Sequence, residues 1–361
     1  MTHPAARYRF LAPRPALRPL GAIWGWLMEL RRRAYGKGLL PSRRVARPVL
    51  SVGNLTLGGN GKTPMCVFLA QALERRGLRT AILSRGYGRR PRRGHPEPLV
   101  VSLGQGPLLP VAESGDEPFL MAQRTRALIV LARRRALAAD LAIGLGAEVL
   151  ILDDGFQHLS LERDLDILML QAGRDLADDF VIPAGFLRER AATLAKADLL
   201  VALGRDLPPA LSRLAAGRPL FLARAAPSGL RALSSGLPVD PASLKGKRLA
   251  AFCGLARPGS FFGSLSEMGL RAGSHLCLPD HEGYGPKTIG RLGEFRALSQ
   301  ADFLLTTAKD AVKLPSGLPL PVLTLESDLV LERPEDFISE TLRRLGHLTW
   351  LAGKDEPKDP H

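Results

Sequence analysis

Residues 49–64 read VLSVGNLTLGGNGKTP, an apolar run followed by a glycine-rich loop that ends in Gly61-Lys62-Thr63. The apolar run favours a buried β-strand, and Pro64 suits the first turn of a helix. In P-loop proteins a strand, a glycine-rich loop and a helix follow one another in this order. Backbone amides of the loop and the positive end of the helix dipole then hold phosphate oxygens. The stretch therefore predicts an α/β fold that binds a nucleotide.

The loop itself assigns the first candidate site residues. The predicted nucleotide-binding residues are Thr56, Leu57, Gly58, Gly59, Asn60, Gly61, Lys62 and Thr63. Lys62 is expected to reach the β- and γ-phosphates of ATP and to act in catalysis, and the Thr63 hydroxyl is expected to ligate Mg²⁺. The strict pattern GxxxxGK[ST] has glycine where this chain has Thr56, and Gly58-Gly59 can supply the flexibility instead. The alternative is a chance glycine-rich turn before a helix.

A second candidate site follows the apolar run at residues 149–152, which ends in Asp153-Asp154. Acids at the end of a strand beside a phosphate loop can hold Mg²⁺ directly or through water. The polar side chains of Gln157 and His158 come directly afterwards, at the same predicted sheet edge. An aspartate at a strand end is also common as a helix cap. The two acids therefore indicate a metal site only in combination with the phosphate loop.

Short apolar strands alternate with helical stretches along most of the chain. Continuous apolar strands in such an alternation predict a parallel sheet that is covered on both faces. We expect an α/β protein with a P-loop NTPase-type parallel sheet lobe, a second, smaller α/β lobe and an N-terminal amphipathic helix. The predicted segments are a basic membrane-interface segment at 1–47, a P-loop kinase core at 48–228, a linker at 229–245, a C-terminal lobe at 246–346 and a flexible tail at 347–361.

The net charge of +15 is concentrated near the N-terminus, where residues 1–48 hold eleven Lys or Arg and one acid, Glu29. The same segment has an apolar stripe at helical spacing, formed by Leu20, Ile23, Trp24, Leu27 and Leu30. Its apolar run is much shorter than the ~20 residues of a membrane span. A basic, tryptophan-bearing helix of this kind predicts binding to an anionic membrane surface. The alternative is a helix packed on its own domain, and the two can hold for different faces.

Several function classes are disfavoured. The three cysteines form no CxxC pair, which favours a reducing compartment. A regulatory P-loop ATPase or GTPase is the main rival, although Lys309-Asp310 lacks the spacing of a guanine-reading NKxD signature. A nucleic-acid-binding ATPase is a weaker rival, because the basic residues accompany an apolar stripe and no nucleic-acid module. We expect no nucleic-acid partner and no obligate protein partner.

Taken together, the motifs resemble the tetraacyldisaccharide 4′-kinase family, the lipid A 4′-kinases of Gram-negative bacteria. The matching stretches are residues 51–64 (SVGNLTLGGNGKTP), 83–89 (LSRGYGR), 153–158 (DDGFQH), 183–189 (PAGFLRE), 254–258 (GLARP), 279–281 (PDH) and 309–313 (KDAVK). The resemblance implies transfer of the ATP γ-phosphate to the 4′-hydroxyl of an acylated glucosamine disaccharide 1-phosphate, in lipid A biosynthesis. It also implies a peripheral or monotopic protein at the cytoplasmic face of the inner membrane.

The resemblance also assigns roles to individual residues. Asp116 lies at a predicted loop-to-helix junction, where the residues alone leave a helix cap and a catalytic base equally open. The family pattern favours the base, with His281 orienting the carboxylate across the cleft that two lobes should form. From the residues themselves, Arg85 at the sheet edge is the best candidate of its basic cluster to bind a phosphate, either the substrate's 1-phosphate or the nucleotide. Gln157 and His158 are further candidate substrate-binding residues. A merely solvated basic loop is the alternative for the arginines that follow Arg85 at 90, 92 and 93.

Overall fold

The computed structural model describes residues 14–58, 61–86, 89, 97–173, 176, 179–204, 208–255, 258–279, 282–315 and 317–346. Within these ranges the chain forms two compact units, one of residues 14–224 with 329–346 and one of residues 225–328. The predictions made for Gly59, Asn60, His281, the arginines at 90, 92 and 93 and the tail after residue 346 lie outside the described residues.

Helices and strands alternate as the sequence predicts. The helices are α1 (Arg18–Gly36), α2 (Lys62–Glu74), α3 (Val111–Ser114), α4 (Asp116–Arg124), α5 (Arg135–Gly144), α6 (Pro209–Ala215), α7 (Pro258–Glu267), α8 (Pro286–Ser299), α9 (Ala308–Ala311) and α10 (Pro334–Gly346). The strands are β1 (Val49–Asn54), β2 (Thr80–Ser84), β3 (Leu99–Leu103), β4 (Leu128–Leu131), β5 (Val149–Asp153), β6 (Leu165–Gln171), β7 (Leu199–Leu203), β8 (Leu220–Ala232), β9 (Pro238–Val239), β10 (Leu249–Cys253), β11 (Ala272–Cys277), β12 (Phe303–Thr307) and β13 (Val322–Leu331).

In the larger unit the strands lie in the order β8-β7-β6-β1-β5-β2-β4-β3. All neighbours run parallel except β3, which is antiparallel to β4. The register pairs Val52 of β1 with Asp153 of β5, so the carboxyl ends of these two strands are adjacent. The predicted α/β class with a parallel P-loop-type sheet is therefore confirmed, and it places the phosphate loop beside the acids.

Buried apolar side chains cover both faces of this sheet, as the continuous apolar strands predict. On one face Leu50 and Val52 pack with Met65 and Leu69 of α2. On the other face Val49 packs with the alanines of α5. Helix α10 also joins the first core, where the Phe337 ring lies 5.1 Å from that of Phe221 in an edge-on arrangement.

In the smaller unit the strands lie in the order β11-β10-β12-β13, and all neighbours run parallel. Its boundaries differ from the predicted ones. The segment expected to be a linker at 229–245 holds the end of β8 and the short strand β9, and it buries Leu230 and Leu244 in the core of this unit. The segment is rich in proline, serine and glycine, which is typical of a linker, but these two leucines pack in the core and fix its position. Residues 329–346, expected in the second lobe, belong to the larger unit.

Helix α1 packs on the larger unit through glycines rather than through its apolar stripe. Gly21 and Gly25 are its buried residues, and they contact the segment from Val181 to Arg190. Most of the stripe faces outward instead, with Leu20 and Ile23 each more than half exposed. The alternative of a helix packed on its own domain thus holds for the glycine face. Membrane binding by the exposed stripe stays a prediction. Within the described residues no helix is long and apolar enough to cross a membrane.

Replacing Gly21 with Ala is expected to destabilise the chain by roughly 1–3 kcal/mol, the cost of overpacking a close contact. An added Cβ would lie 2.5 Å from the Val181 carbonyl oxygen and 3.2 Å from the Ala184 Cβ. Thermal unfolding followed by circular dichroism measures the change. The matched control is Gly36→Ala at the end of the same helix, where a Cβ would have no neighbour within 4 Å. Equal melting temperatures for the two variants would contradict a close glycine-mediated contact.

Candidate active site

The phosphate loop ends in a left-handed glycine at the start of α2. Gly61 has φ +76°, a conformation that glycine adopts without steric cost, and it is the N-cap of the helix. Lys62 follows, with Nζ 3.0 Å from Asn54 Oδ1 and 3.2 Å from Asp154 Oδ1. Thr63 is half-buried in the first turn. The lysine head is therefore held at the carboxyl edge of the sheet, next to one of the two predicted acids.

Asp153 is the last residue of β5 and is only 4% exposed. Its Oδ2 accepts a hydrogen bond of 2.8 Å from Ser84 Oγ, and its Oδ1 has no hydrogen-bond partner among the described residues. Burial, and then the negative charges of Glu117 and Asp154, raise the pKa of Asp153 to about 7. A buried carboxylate oxygen that receives no donor and is costly to ionise is suited to a cation.

Asp154 has the opposite electrostatic environment, although it is the next residue. Its φ of +53° places it in the left-handed region, which is uncommon for a residue other than glycine. Arg188 Nη1 lies 2.9 and 2.8 Å from its two carboxylate oxygens. Burial alone would raise the pKa of Asp154, but the charges of Lys62 and Arg188 hold it below its ordinary value. Near pH 7, Asp154 is therefore ionised, whereas Asp153 is close to its own pKa.

Arg188 is a site residue that our sequence reasoning missed. Its position follows from backbone pairing between the phosphate loop and a distant segment, since Leu57 N–H donates to Phe186 O (2.9 Å) and Arg188 N–H donates to Leu55 O (2.7 Å). Asn54, which is fully buried beside Lys62, was missed as well. The only available signal was that Arg188 lies in one of the quoted motifs, at residues 183–189.

The turn after the two acids lies directly on the end of β1. A Cβ at Gly53 would be 2.4 Å from the Phe156 Cβ, so glycine is needed for this close approach. Gln157 Nε2 donates to Asn54 O (3.0 Å), and Gln157 Oε1 lies 3.4 Å from Arg188 Nη1. The predicted substrate residue Gln157 is therefore brought together with the phosphate loop and the acids.

His158 is half-buried, and its Nε2 lies 3.1 Å from Ser160 Oγ. Burial lowers the pKa of His158 to about 4, and nearby positive charges add to the effect. These charges are the guanidinium groups of Arg135, Arg163, Arg31 and Arg85. The imidazole is consequently neutral at pH 7 and has several cations around it.

Helix α1 contacts the same turn through two arginines. Arg32 forms an ion pair with the buried Glu189, with both hydrogen bonds at 3.0 Å, and donates to Phe156 O at 3.1 Å. Arg31 Nη1 donates to Gln157 O at 3.1 Å. The helix that bears the exposed apolar stripe is therefore joined directly to the turn between the acids and His158.

Asp116 is the first residue of α4, and the N-cap of that helix is Gly115, with φ +88°. An acid in the first turn interacts favourably with the helix dipole, so the structural alternative for Asp116 remains. The next residue, Glu117, contributes to the raised pKa of Asp153, which places the first turn of α4 within electrostatic range of the acids. Arg85 follows β2 and is exposed. The catalytic role of Asp116 and the substrate role of Arg85 stay predictions.

The residues expected to hold Mg²⁺ are Thr63, Asp153 and Asp154. Among the described residues there is no group of three or more His, Cys, Asp or Glu arranged for a metal ion. Mg²⁺ usually takes only one or two protein carboxylates and completes its shell with water and substrate phosphates. The free Oδ1 of Asp153 and a hydroxyl at the helix start fit such a site.

Comparison with known proteins identifies the family. Residues 13–345 match the family model described as tetraacyldisaccharide-1-P 4′-kinase. The tetraacyldisaccharide 4′-kinase of Geobacter metallireducens is 41% identical over 305 residues, which cover 82% of this chain and 87% of the relative. That of Desulfatibacillum aliphaticivorans is 34% identical, covering 91% and 92%.

A solved structure has the same fold. It is LpxK from Aquifex aeolicus in complex with ATP, with a TM-score of 0.74 and 33% sequence identity, and the match covers 91% of this chain and 98% of that one. The fold, the phosphate loop with its two acids and the match over nearly the whole chain agree. The chain belongs to the tetraacyldisaccharide-1-P 4′-kinase family.

Proposed function

We propose that this chain transfers the γ-phosphate of ATP to the 4′-hydroxyl of a tetraacylated glucosamine disaccharide 1-phosphate, a step of lipid A biosynthesis. The observation that carries the proposal is the placement of Lys62 at the start of α2, within 3.2 Å of Asp154 and beside the buried Asp153. Membership of the family supports the acceptor, and the ATP bound to the solved relative supports the donor.

Phosphoryl transfer depends mainly on positioning and on neutralising the charge of the transferring group. In the proposal, the amides of the phosphate loop hold the phosphates, and Lys62 leaves Asp154 to contact the β- and γ-phosphates. Arg188 then remains on Asp154 and keeps it ionised. Thr63, Asp153 and Asp154 would hold Mg²⁺, which would supply positive charge to the nucleotide phosphates.

The acceptor side of the reaction uses residues with no role in the phosphate loop. We assign Asp116 as the base that takes the 4′-hydroxyl proton and His281 as the residue that orients it. Arg85, Gln157 and His158 are assigned to the acidic substrate. The cations around His158 support this assignment, because they favour an anionic group and keep the imidazole neutral.

The substrate lies in a membrane, and α1 is proposed to bring the site to it. Its outward apolar stripe and the excess of positive charge in residues 1–48 fit an anionic surface, here the cytoplasmic face of the inner membrane. The hydrogen bonds of Arg31 and Arg32 to the turn at Phe156-Gln157 would keep the site close to that surface. The proposal needs no nucleic acid and no protein partner.

Changing Leu20, Ile23 and Trp26 to Ser together is expected to lower the partition of the full chain into anionic vesicles by about 10²-fold or more. Each of the three side chains is at least 55% exposed, so the change leaves the glycine-mediated packing in place. Even partial burial of each side chain in lipid is worth ~1 kcal/mol or more. Vesicle flotation measures the partition.

The matched control changes three other exposed leucines, Leu108, Leu237 and Leu298, to Ser. This variant also loses three exposed apolar side chains, none of them on α1, and should bind vesicles like the wild type. Equal loss in both variants would mean that binding is unspecific and that α1 is not the membrane-binding element.

The reaction is tested by measuring ATP consumption with three acceptors: the acylated disaccharide 1-phosphate, the same lipid already bearing a 4′-phosphate, and no lipid. We expect turnover with the first acceptor alone, and a product with one added phosphate by mass spectrometry. Equal hydrolysis of ATP or GTP without lipid would instead favour the regulatory ATPase or GTPase.

A further inference from the structure

Two free thiols lie side by side in the smaller unit, and the proposed reaction uses neither of them. Cys253 is the last residue of β10, and Cys277 is the last residue of β11. The register of these parallel strands pairs the two residues directly. Both are free cysteines, Cys253 buried and Cys277 exposed. The pair therefore consists of one thiol in the core and one at the surface.

The spacing of the backbone at this pair suits a disulfide. Neighbouring strands of a sheet lie about 4.8 Å apart, and disulfides join residues whose Cα atoms are about 4.4–6.8 Å apart. Just beyond the pair, Leu278 N–H donates to Cys253 O at 2.8 Å, so the two strands are still hydrogen-bonded where the cysteines lie. A bond between the two sulfurs therefore needs no change of register.

Both cysteine side chains lie on the face of the sheet that α7 covers. Cys253 packs in the same core cluster as Phe261 of that helix. The Phe262 ring, one residue further along α7, lies 4.3 Å from the ring of His275 in β11. Side chains two residues apart on a strand point to the same face, so Cys277 shares this face with His275. The sheet therefore does not separate the two thiols.

The two thiols differ in reactivity. Burial raises the pKa of Cys253 to about 12, and Cys277 adds to the shift through its charge and through a hydrogen bond between the two side chains. The thiolate is the reactive form of cysteine, so a thiol with this pKa reacts slowly at neutral pH. Cys277 is exposed, so a dissolved oxidant reaches it first.

We propose that Cys253 and Cys277 form a reversible intrachain disulfide, a modification site for low-molecular-weight disulfides such as oxidised glutathione. In the first step, the Cys277 thiolate attacks one sulfur of the oxidant, forms a mixed disulfide and releases one glutathione thiolate. In the second step, Cys253 loses its proton, and its sulfur attacks the Cys277 sulfur and releases the second glutathione thiolate. The two protein thiols lose two electrons, and the two glutathione thiolates take up the two protons that the cysteines lose.

The bridge would join a strand at the end of the sheet order to its neighbour. In the described part of the smaller unit β11 pairs with β10, and its residues alternate between half-buried and exposed. Segments with few buried contacts open locally at low cost, so a covalent link to β10 should slow the opening of β11. Exposed disulfides are among the more easily reduced, so the bridge should form under oxidation and be lost again in a reducing compartment.

The test treats the full wild-type chain with oxidised glutathione. The intact mass should fall by two hydrogens, and the thiols titrated after denaturation should fall from three to one. Peptide mapping should find Cys253 joined to Cys277, with the fully buried Cys66 left as the free thiol. Dithiothreitol should restore all three thiols, and hydrogen–deuterium exchange at residues 272–277 should be slower in the oxidised chain. The experiment needs neither ATP nor lipid, so its result is independent of the proposed function.

Two variants separate the roles of the two thiols. Cys253→Ala keeps a small apolar side chain in the core and should stop at the mixed disulfide of Cys277 with one glutathione. In Cys277→Ser the oxidant meets only the buried thiol, so modification of Cys253 should be about 10²-fold slower or more than in the wild type. The matched control is Cys66→Ala, which removes a thiol of the larger unit and should form the bridge at the wild-type rate.

Three outcomes would overturn the proposal. A wild-type chain that stops at the mixed disulfide would show that the two sulfurs cannot meet. Thiols that remain at three after prolonged oxidation would show that Cys277 is not accessible to the oxidant. A disulfide between two chains, seen as a dimer on a non-reducing gel, or one that includes Cys66, would show that the register pair is not the site of oxidation.

Discussion

Lys62→Ala should lower lipid-dependent turnover by about 10³-fold or more, because the lysine supplies a positive charge to the transferring phosphate in a largely buried site. Its side chain is 14% exposed, and Nζ is already positioned at the sheet edge by Asn54 and Asp154. In the wild type, nucleotide phosphates would replace these partners. Steady-state kinetics with ATP and the acylated disaccharide 1-phosphate give the loss in kcat.

The controls for Lys62 address charge and fold. Lys62→Arg keeps a positive charge but changes its shape and reach, so most of the loss should persist. Lys196→Ala removes an exposed lysine of the same unit and should leave kcat unchanged. The core residues of α2, such as Met65 and Leu69, are untouched, and a native circular dichroism spectrum is expected. Activity of Lys62→Ala within about threefold of the wild type would contradict the phosphate-loop assignment.

The central strands could be predicted because their signal is local. β1 and β5 are buried along their whole length, so every position is apolar or small and polar, and turn residues mark their ends. β11 gave no such signal. Its residues Ala272–Cys277 alternate between half-buried and exposed and include no β-branched side chain. Helix α8 was missed for a similar reason, since only Thr288 and Leu292 are buried.

The acids and the lysine of the site were predicted because each lies within a short motif beside its strand. Arg188 depends instead on pairing between Leu55 and a residue more than 130 positions away, which no local pattern encodes. For α1 the period of the stripe was clear, and the stripe was predicted to face a membrane surface, but the period did not show which residues would form the packed face. Here Gly21 and Gly25 permit close backbone approach, so the opposite face is buried.

Asp116→Asn should lower kcat by ~10²–10⁴-fold, the usual contribution of a general base, with little change in nucleotide affinity. Asparagine retains the size of aspartate at the first position of α4 and removes the ability to accept a proton. The control is Glu117→Gln in the same helical turn. It removes one of the charges that, after burial, raise the pKa of Asp153, and it should alter Mg²⁺ dependence more than the chemical step.

A double mutant with His281→Ala then tests whether Asp116 acts with a partner. If the imidazole orients the carboxylate, the double mutant should lose much less activity than the two single losses combined, since each change disables the same unit. Fully additive losses would assign the two residues separate roles. If Asp116→Asn keeps its rate but melts at a lower temperature, the acid serves only the N-terminus of α4, where its charge is favourable to the helix dipole.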